Sequence, residues 1–139
     1  MVNVETNIIF SISSKPGQFG TLFHNYLYKK FNLNYLYKAC PCTNLEISIK
    51  AIRSLSLRGM SVSMPFKIEA LDYLDNISPN SLPCINTVIN ESGTLTGYNT
   101  DLYALDILIS QMTNLNNILI VGTGGVANLC LSYLSKNKA

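Results

Sequence analysis

Between residues 7 and 64 the chain passes back and forth between a strand-like and a helix-like hydrophobic pattern. This alternation constrains the fold more than any single motif. "NIIFSIS" (7–13) is a short β-type run, and "FGTLFHNYLYKKF" (19–31) places apolar residues at 19, 22, 23, 26 and 27, the spacing of an amphipathic helix. "LNYLYKA" (33–39) reads as a second strand. Thr43 and Glu46 have the spacing of a capping box, and Leu45, Ile49, Ile52 and Leu55 give the helix behind it one apolar face. Gly59 is a helix stop, and "MSVSM" (60–64) a third strand. Strands separated by helices cannot pair through tight hairpins. They predict an α/β fold with a mainly parallel sheet and helices on its faces.

Pro65 suits the first position of a helix running through "FKIEALDYL". "NISPNSLPC" (76–84) reads as a loop, and "INTVIN" and "TLTGYN" as a hairpin around "ESG". A helix from about Asp101 sets Leu105, Leu108, Ile109 and Met112 on one side. "TNLNN" (113–117) is linker-like, and it divides the chain into a first domain, 1–112, and a second segment, 118–139.

Composition bounds the function. Hydrophobic residues make up 47% of the 139 and charged residues 13%, which argues for a real core and against disorder. The net charge is +2 with no basic stripe, so nucleic acid is not an expected partner. No apolar run reaches the roughly 18 residues of a membrane span, and the N-terminus does not read as a signal peptide. Cysteines at 40, 42, 84 and 130 read as free thiols of a reducing compartment, and a cytoplasmic protein is expected. Cys40-Pro41-Cys42 lacks zinc-knuckle spacing and His24 is far away, so no metal site is expected. The sequons at Asn76 and Asn90 are discounted for want of any sign of secretion.

Four residues stand out for chemistry. Lys67 falls at a strand's carboxyl end, where open α/β sheets bind ligands, and at a helix start, where a cation opposes the macrodipole. It is either a solvated lysine or a ligand-facing one. Asp101 opens a helix, and on position alone it is a cap or a catalytic carboxylate. Asn86 starts a strand, where its amide could serve a turn or a polyhydroxylated ligand. Ser63 precedes Lys67 by four residues on the strand. His24 and the tyrosines at 26, 28, 35 and 37 read as packing residues. Finally, Gly122-Thr123-Gly124-Gly125-Val126-Ala127 fits G-x-G-x-x-A between the apolar "ILIV" and a helical pattern. That is the strand-turn-helix context in which glycines let a backbone approach a pyrophosphate.

Taken together, "VSMPFK", "CINTV", "GYNTD" and "VGTGGVA", in this order, resemble the motifs of shikimate dehydrogenase, over about residues 7 to 139. "SISSKPGQFGTLFHN" is similar to a shikimate-dehydrogenase-like branch. The resemblance implies an N-terminal substrate domain followed by the start of a Rossmann-type domain. It implies NADP-dependent, reversible reduction of 3-dehydroshikimate to shikimate, in the biosynthesis of aromatic amino acids. Lys67 and Asp101 would be the catalytic pair, and Ser63 and Asn86 would bind the substrate ring. The family's carboxylate-gripping Ser-x-Ser-Pro is missing; ungapped counting back from Asn25 puts Gln18 and Gly20 there, and Gln18 or Thr21 would substitute. Gly122 to Ala127 would bind the cofactor.

The residue that selects NAD or NADP lies about 20 residues beyond the glycines, past Ala139, so NAD is not excluded. A βαβ unit takes about 30 residues, more than follow Ile118. The chain is therefore expected to be a truncated form, inactive alone, with a dimer or a complementing chain as a possible partner. The alternative is a non-catalytic module or remnant that binds shikimate- or quinate-like acids.

Overall fold

Strand β1 (Asn7–Ser13) lies between two parallel neighbours, β2 (Tyr35–Pro41) and β3 (Gly59–Val62). The intervening helices α1 (Phe19–Lys30) and α2 (Leu45–Ser54) complete the predicted alternation. The hairpin of β5 (Thr87–Glu91) and β6 (Thr94–Tyr98) joins β3 antiparallel, and the two-residue β4 (Asn76–Ile77) pairs parallel with β6. The result is one six-stranded sheet of order β2-β1-β3-β5-β6-β4 in a mixed α/β fold. Helices α3 (Thr100–Ser110) and α4 (Gly125–Asn137) follow. The computed structural model describes residues 2–113 and 117–137, so the linker expected at 113–117 lies largely outside the described residues. Among the described residues no helix is long and apolar enough to cross a membrane.

The core sits on one face of the sheet. Ile12, Met60, Val62, Val88 and Leu95 meet Leu45, Ile49 and Ile52 of α2, and each side chain so buried contributes about 1.5–3 kcal/mol. Cys84, Ile85 and, from α4, Leu129 belong to the same cluster. Asn90 is buried there too, with its amide donating to the carbonyls of Ile52 and Leu57 and its oxygen accepting from Gly93 N. Its sequon is thus closed to modification in the folded chain.

Helix α1 corrects the sequence expectation. The helix forms, yet it buries no residue, and Phe19, Leu22, Phe23 and Tyr26 of its apolar stripe are exposed. It docks instead through polar side chains because β2 is the sheet's edge, and edge N–H and C=O groups need partners. Asn25 behaves like a short extra strand: its Nδ2 donates to Tyr37 O at 2.7 Å and its Oδ1 accepts from Tyr37 N at 2.9 Å. Thr21 Oγ1 accepts from Ala39 N at 3.0 Å.

Other boundaries moved as well. Asn44, not Thr43, caps α2, accepting from Ile47 N at 2.9 Å. The helix ends at Ser54, and Ser56 (φ 49°) turns the chain out of it, with Leu57 N donating back to Ile52 O, while Gly59 already belongs to β3. Gly59 is needed for a different reason: a Cβ there would lie 2.4 Å from Val88 O on the neighbouring strand. No α-helix starts at Pro65. Residues 64–68 form turns ahead of a 3-10 helix, Glu69–Tyr73, and Ile85 N ties down Lys67 O at 2.9 Å. "ILIV" (118–121) forms no strand: among the described residues no neighbour runs beside it, and Leu119 and Val121 are each 87% exposed.

Candidate active site

The carboxyl end of β3, the turn after it and the start of α3 enclose the residues singled out for chemistry. Lys67 Nζ donates to Asp101 Oδ2 at 2.6 Å, with the lysine side chain 15% exposed and the carboxylate 37%. A groove of about 570 Å³ runs over this end of the sheet, with Ser63, Lys67, Asn86 and Thr100 on its wall. The four residues that sequence reading ranked for chemistry therefore gather at one place.

Asp101 is free for this pairing because it is not the cap. Asn99 caps α3, its Oδ1 accepting from Asp101 N at 2.9 Å, and its buried Nδ2 donates to Cys84 O at 2.9 Å. Asn86 is largely committed to the protein. Its Oδ1 accepts from Thr100 N and from Thr87 Oγ1, and its Nδ2 donates to Thr100 Oγ1 at 2.8 Å. One amide N–H remains for a ligand. The Ser63 side chain makes no hydrogen bond among the described residues, and it is exposed on the groove. Gln18 and Thr21 are not brought to this groove. They line a separate hollow of about 310 Å³ beside Lys38, and Thr21 Oγ1 is already engaged by Ala39.

The glycine turn docks against the same site. Gly122 has φ 128°, a backbone state that side chains disfavour, and Gly124 has open space around it. At Gly125 a Cβ would sit 3.2 Å from Cys84 Sγ and 3.3 Å from Lys67 Cβ. Cys84 Sγ donates to Gly125 O at 3.1 Å, and burial pushes its thiol pKa up. Thus the first residue of α4 rests on the stem of Lys67. Helix α4 has no acid in its first turn, and a glycine-walled helix N-terminus of this kind is suited to phosphates; Gly122, Thr123, Gly124, Gly125, Val126 and Ala127 are the residues that would hold them. Sequence reading missed Asn99, Thr100 and Cys84. Asn99 had a visible signal, an asparagine two residues before the helical Asp101; Cys84 had none.

The model of the shikimate dehydrogenase substrate-binding domain matches residues 19–88, half of the chain. The chain belongs to this family. A shikimate dehydrogenase-like protein of Haemophilus influenzae is 42% identical over 131 residues, covering 91% of this chain and 48% of that protein. The NADP(+) shikimate dehydrogenase of Pyrococcus furiosus is 34% identical, covering 98% of this chain and 52% of the enzyme. Among solved structures, a shikimate 5-dehydrogenase-like protein superposes with a TM-score of 0.84 at 41% identity, over 98% of this chain and 52% of that one. A shikimate dehydrogenase in complex with NADP+ gives 0.82 at 33%, over 98% and 50%. The chain thus spans about half the length of the curated relatives it matches. The matches that cover 98% of this chain take in the glycine turn as well as residues 19–88.

Proposed function

We propose that this chain provides the substrate site and the catalytic pair of an NADP-dependent shikimate dehydrogenase that interconverts 3-dehydroshikimate and shikimate. The observation that supports this most directly is that Lys67, on the wall of a groove that also presents Ser63 and Asn86, pairs with Asp101 at 2.6 Å. NADPH, when bound, supplies the hydride. Lys67 then gives a proton to the substrate oxygen during reduction and takes it back from the hydroxyl during oxidation. A neighbouring carboxylate keeps such a group oriented within hydrogen-bond reach, and Asp101, held by the Asn99 cap, has that role. Ser63 and the free N–H of Asn86 bind ring hydroxyls. The glycine turn is the binding element for the phosphates, and its contact with Lys67 brings the cofactor side and the acid–base side together.

The test pairs calorimetry of the 139-residue chain with shikimate and quinate and an NADP-reduction assay. Binding of a cyclic acid without turnover is expected for the chain alone, and turnover for a protein that also carries the rest of the cofactor domain. In that longer protein, Lys67→Ala lowers turnover by about 10²- to 10⁴-fold and leaves substrate affinity largely intact. An equal loss of affinity would make Lys67 a binding residue instead.

A further inference from the structure

We propose that the outer face of α1 is a membrane-docking surface whose partner is the headgroup layer of an anionic lipid bilayer. The inference is independent of the function proposed above. Thr21 and Asn25 tie α1 to the edge of β2, so the helix turns a polar side inward and an apolar stripe outward. Phe19, Leu22 and Tyr26 are 62–77% exposed and Phe23 44%, and the rings of Phe19 and Phe23 stack at 5.4 Å. Positions 19, 22, 23 and 26 share one face of a helix. A contiguous apolar patch rimmed by polar residues marks an interaction surface.

Charge identifies the partner. Lys29 and Lys30 follow Tyr26 by one turn. Lys15 shares a hollow with Phe19, and Lys38 shares another with Leu22. All four lysines are exposed, and none makes an ion pair among the described residues. Of the chain's 8 acids only Glu5 precedes Glu46, so the stretch from Thr6 to Leu45 that carries α1 is purely basic. Lysines bordering an aromatic and aliphatic face form the pattern of a helix lying in a bilayer interface, with rings in the acyl boundary and ammonium groups at the phosphates. With 12 residues, α1 lies on a bilayer rather than crossing it. Two copies meeting through this face would set lysine against lysine, which is repulsive. A protein strand has no open edge to add to, because Asn25 and Thr21 already engage Tyr37 and Ala39 of β2.

The experiment is cosedimentation of the 139-residue chain with vesicles of phosphatidylcholine alone and of phosphatidylcholine mixed with phosphatidylglycerol. Binding is expected to the mixed vesicles, with little to the neutral ones, and it is lost as salt screens the charges. Lys29→Gln and Lys30→Gln each weaken it about fivefold. Phe19→Gln combined with Leu22→Gln weakens it by more than about tenfold, whereas Leu131→Gln, at an exposed leucine of α4, leaves it unchanged. Circular dichroism checks that each variant keeps the parent's helix content. The chain has no tryptophan, so Phe19→Trp supplies a single reporter whose emission shifts to the blue as the ring enters the mixed vesicles. Absence of binding to those vesicles, an unshifted reporter, or binding that survives the Phe19→Gln and Leu22→Gln pair overturns the proposal. So does sedimentation velocity showing, in place of vesicle binding, a dimer or a complex with an acidic amphipathic peptide that this pair abolishes; the face then belongs to a protein.

Discussion

Replacing Leu129 by alanine tests whether the glycine turn really rests on the substrate domain. Leu129 is 1% exposed and is the one buried residue of α4 within the common core. The other ties of α4 are polar: Cys84 Sγ to Gly125 O at 3.1 Å, Lys136 Nζ to Ser81 Oγ at 2.6 Å, and Tyr133 to Asp106. Leu129→Ala removes three fully buried carbons. At about 0.8 kcal/mol each, the transfer loss is about 2.4 kcal/mol. Incomplete collapse of the cavity adds to it, so about 3 kcal/mol is expected, within the range of roughly 2–5 for such changes. Leu131→Ala is the internal control: it has the same chemistry and the same helix, but its side chain is 56% exposed. Its cost should stay near or below about 0.5 kcal/mol, and the helix-propensity term is common to both variants. Urea unfolding followed by far-UV circular dichroism measures the difference, with an unchanged m-value showing that one cooperative unit is being compared. If the two variants fall within about 0.5 kcal/mol of each other, α4 does not pack on this core. The contact between Gly125 and Lys67 would then fall with it.

Two further predictions come from burial. Cys84 is fully buried and its thiol pKa is raised, chiefly by desolvation, so a thiol reagent should label the half-buried Cys40 and Cys130 in the native chain and reach Cys84 only on unfolding; native-state labelling of Cys84 by mass spectrometry would refute its packing. His24, the chain's single histidine, stacks on Tyr37 at 4.3 Å and has its pKa lowered from 6.5 by burial. The unfolded chain therefore binds the proton first, and stability should fall as pH drops below about 6.5 toward the lower folded value. His24→Gln should flatten that part of the melting-temperature profile, and an unchanged slope would count against the burial.

What could be read in the sequence followed from local periodicity. β1, α2 and the β5–β6 hairpin were legible because their apolar spacing matches the face they bury; α3 was legible as a helix, but it buries no residue, and Leu108 and Met112 of its expected apolar side are exposed. α1 was legible as a helix but not in its orientation. Its docking depends on β2 being an edge strand, and edge position is a property of the whole sheet. The caps slipped by one or two residues wherever several small polar residues compete: Thr43 against Asn44, and Asp101 against Asn99. The strand at 118–121 failed for a related reason. Apolar residues set the preference for a strand, while the ladder hydrogen bonds must come from a neighbour.

The same division between local and tertiary information explains the site. Lys67, Asn86 and Asp101 could be found because motif spacing marks them, but the reason Asp101 is free to pair with Lys67 is tertiary. Asn99 takes over the capping bond that would otherwise occupy a carboxylate at this helix start, and it is itself held by Cys84. Cys84 in turn donates to Gly125. One buried side chain thus touches both the helix start that aims Asp101 and the glycine turn. Neither contact can be read from a cysteine in a loop. Its small size is also part of the arrangement, since at Gly125 even a methyl group would come within 3.2 Å of its sulfur and 3.3 Å of the Lys67 stem. The glycine there, read from sequence as a phosphate-binding feature, is equally a packing requirement of Cys84 and the Lys67 stem.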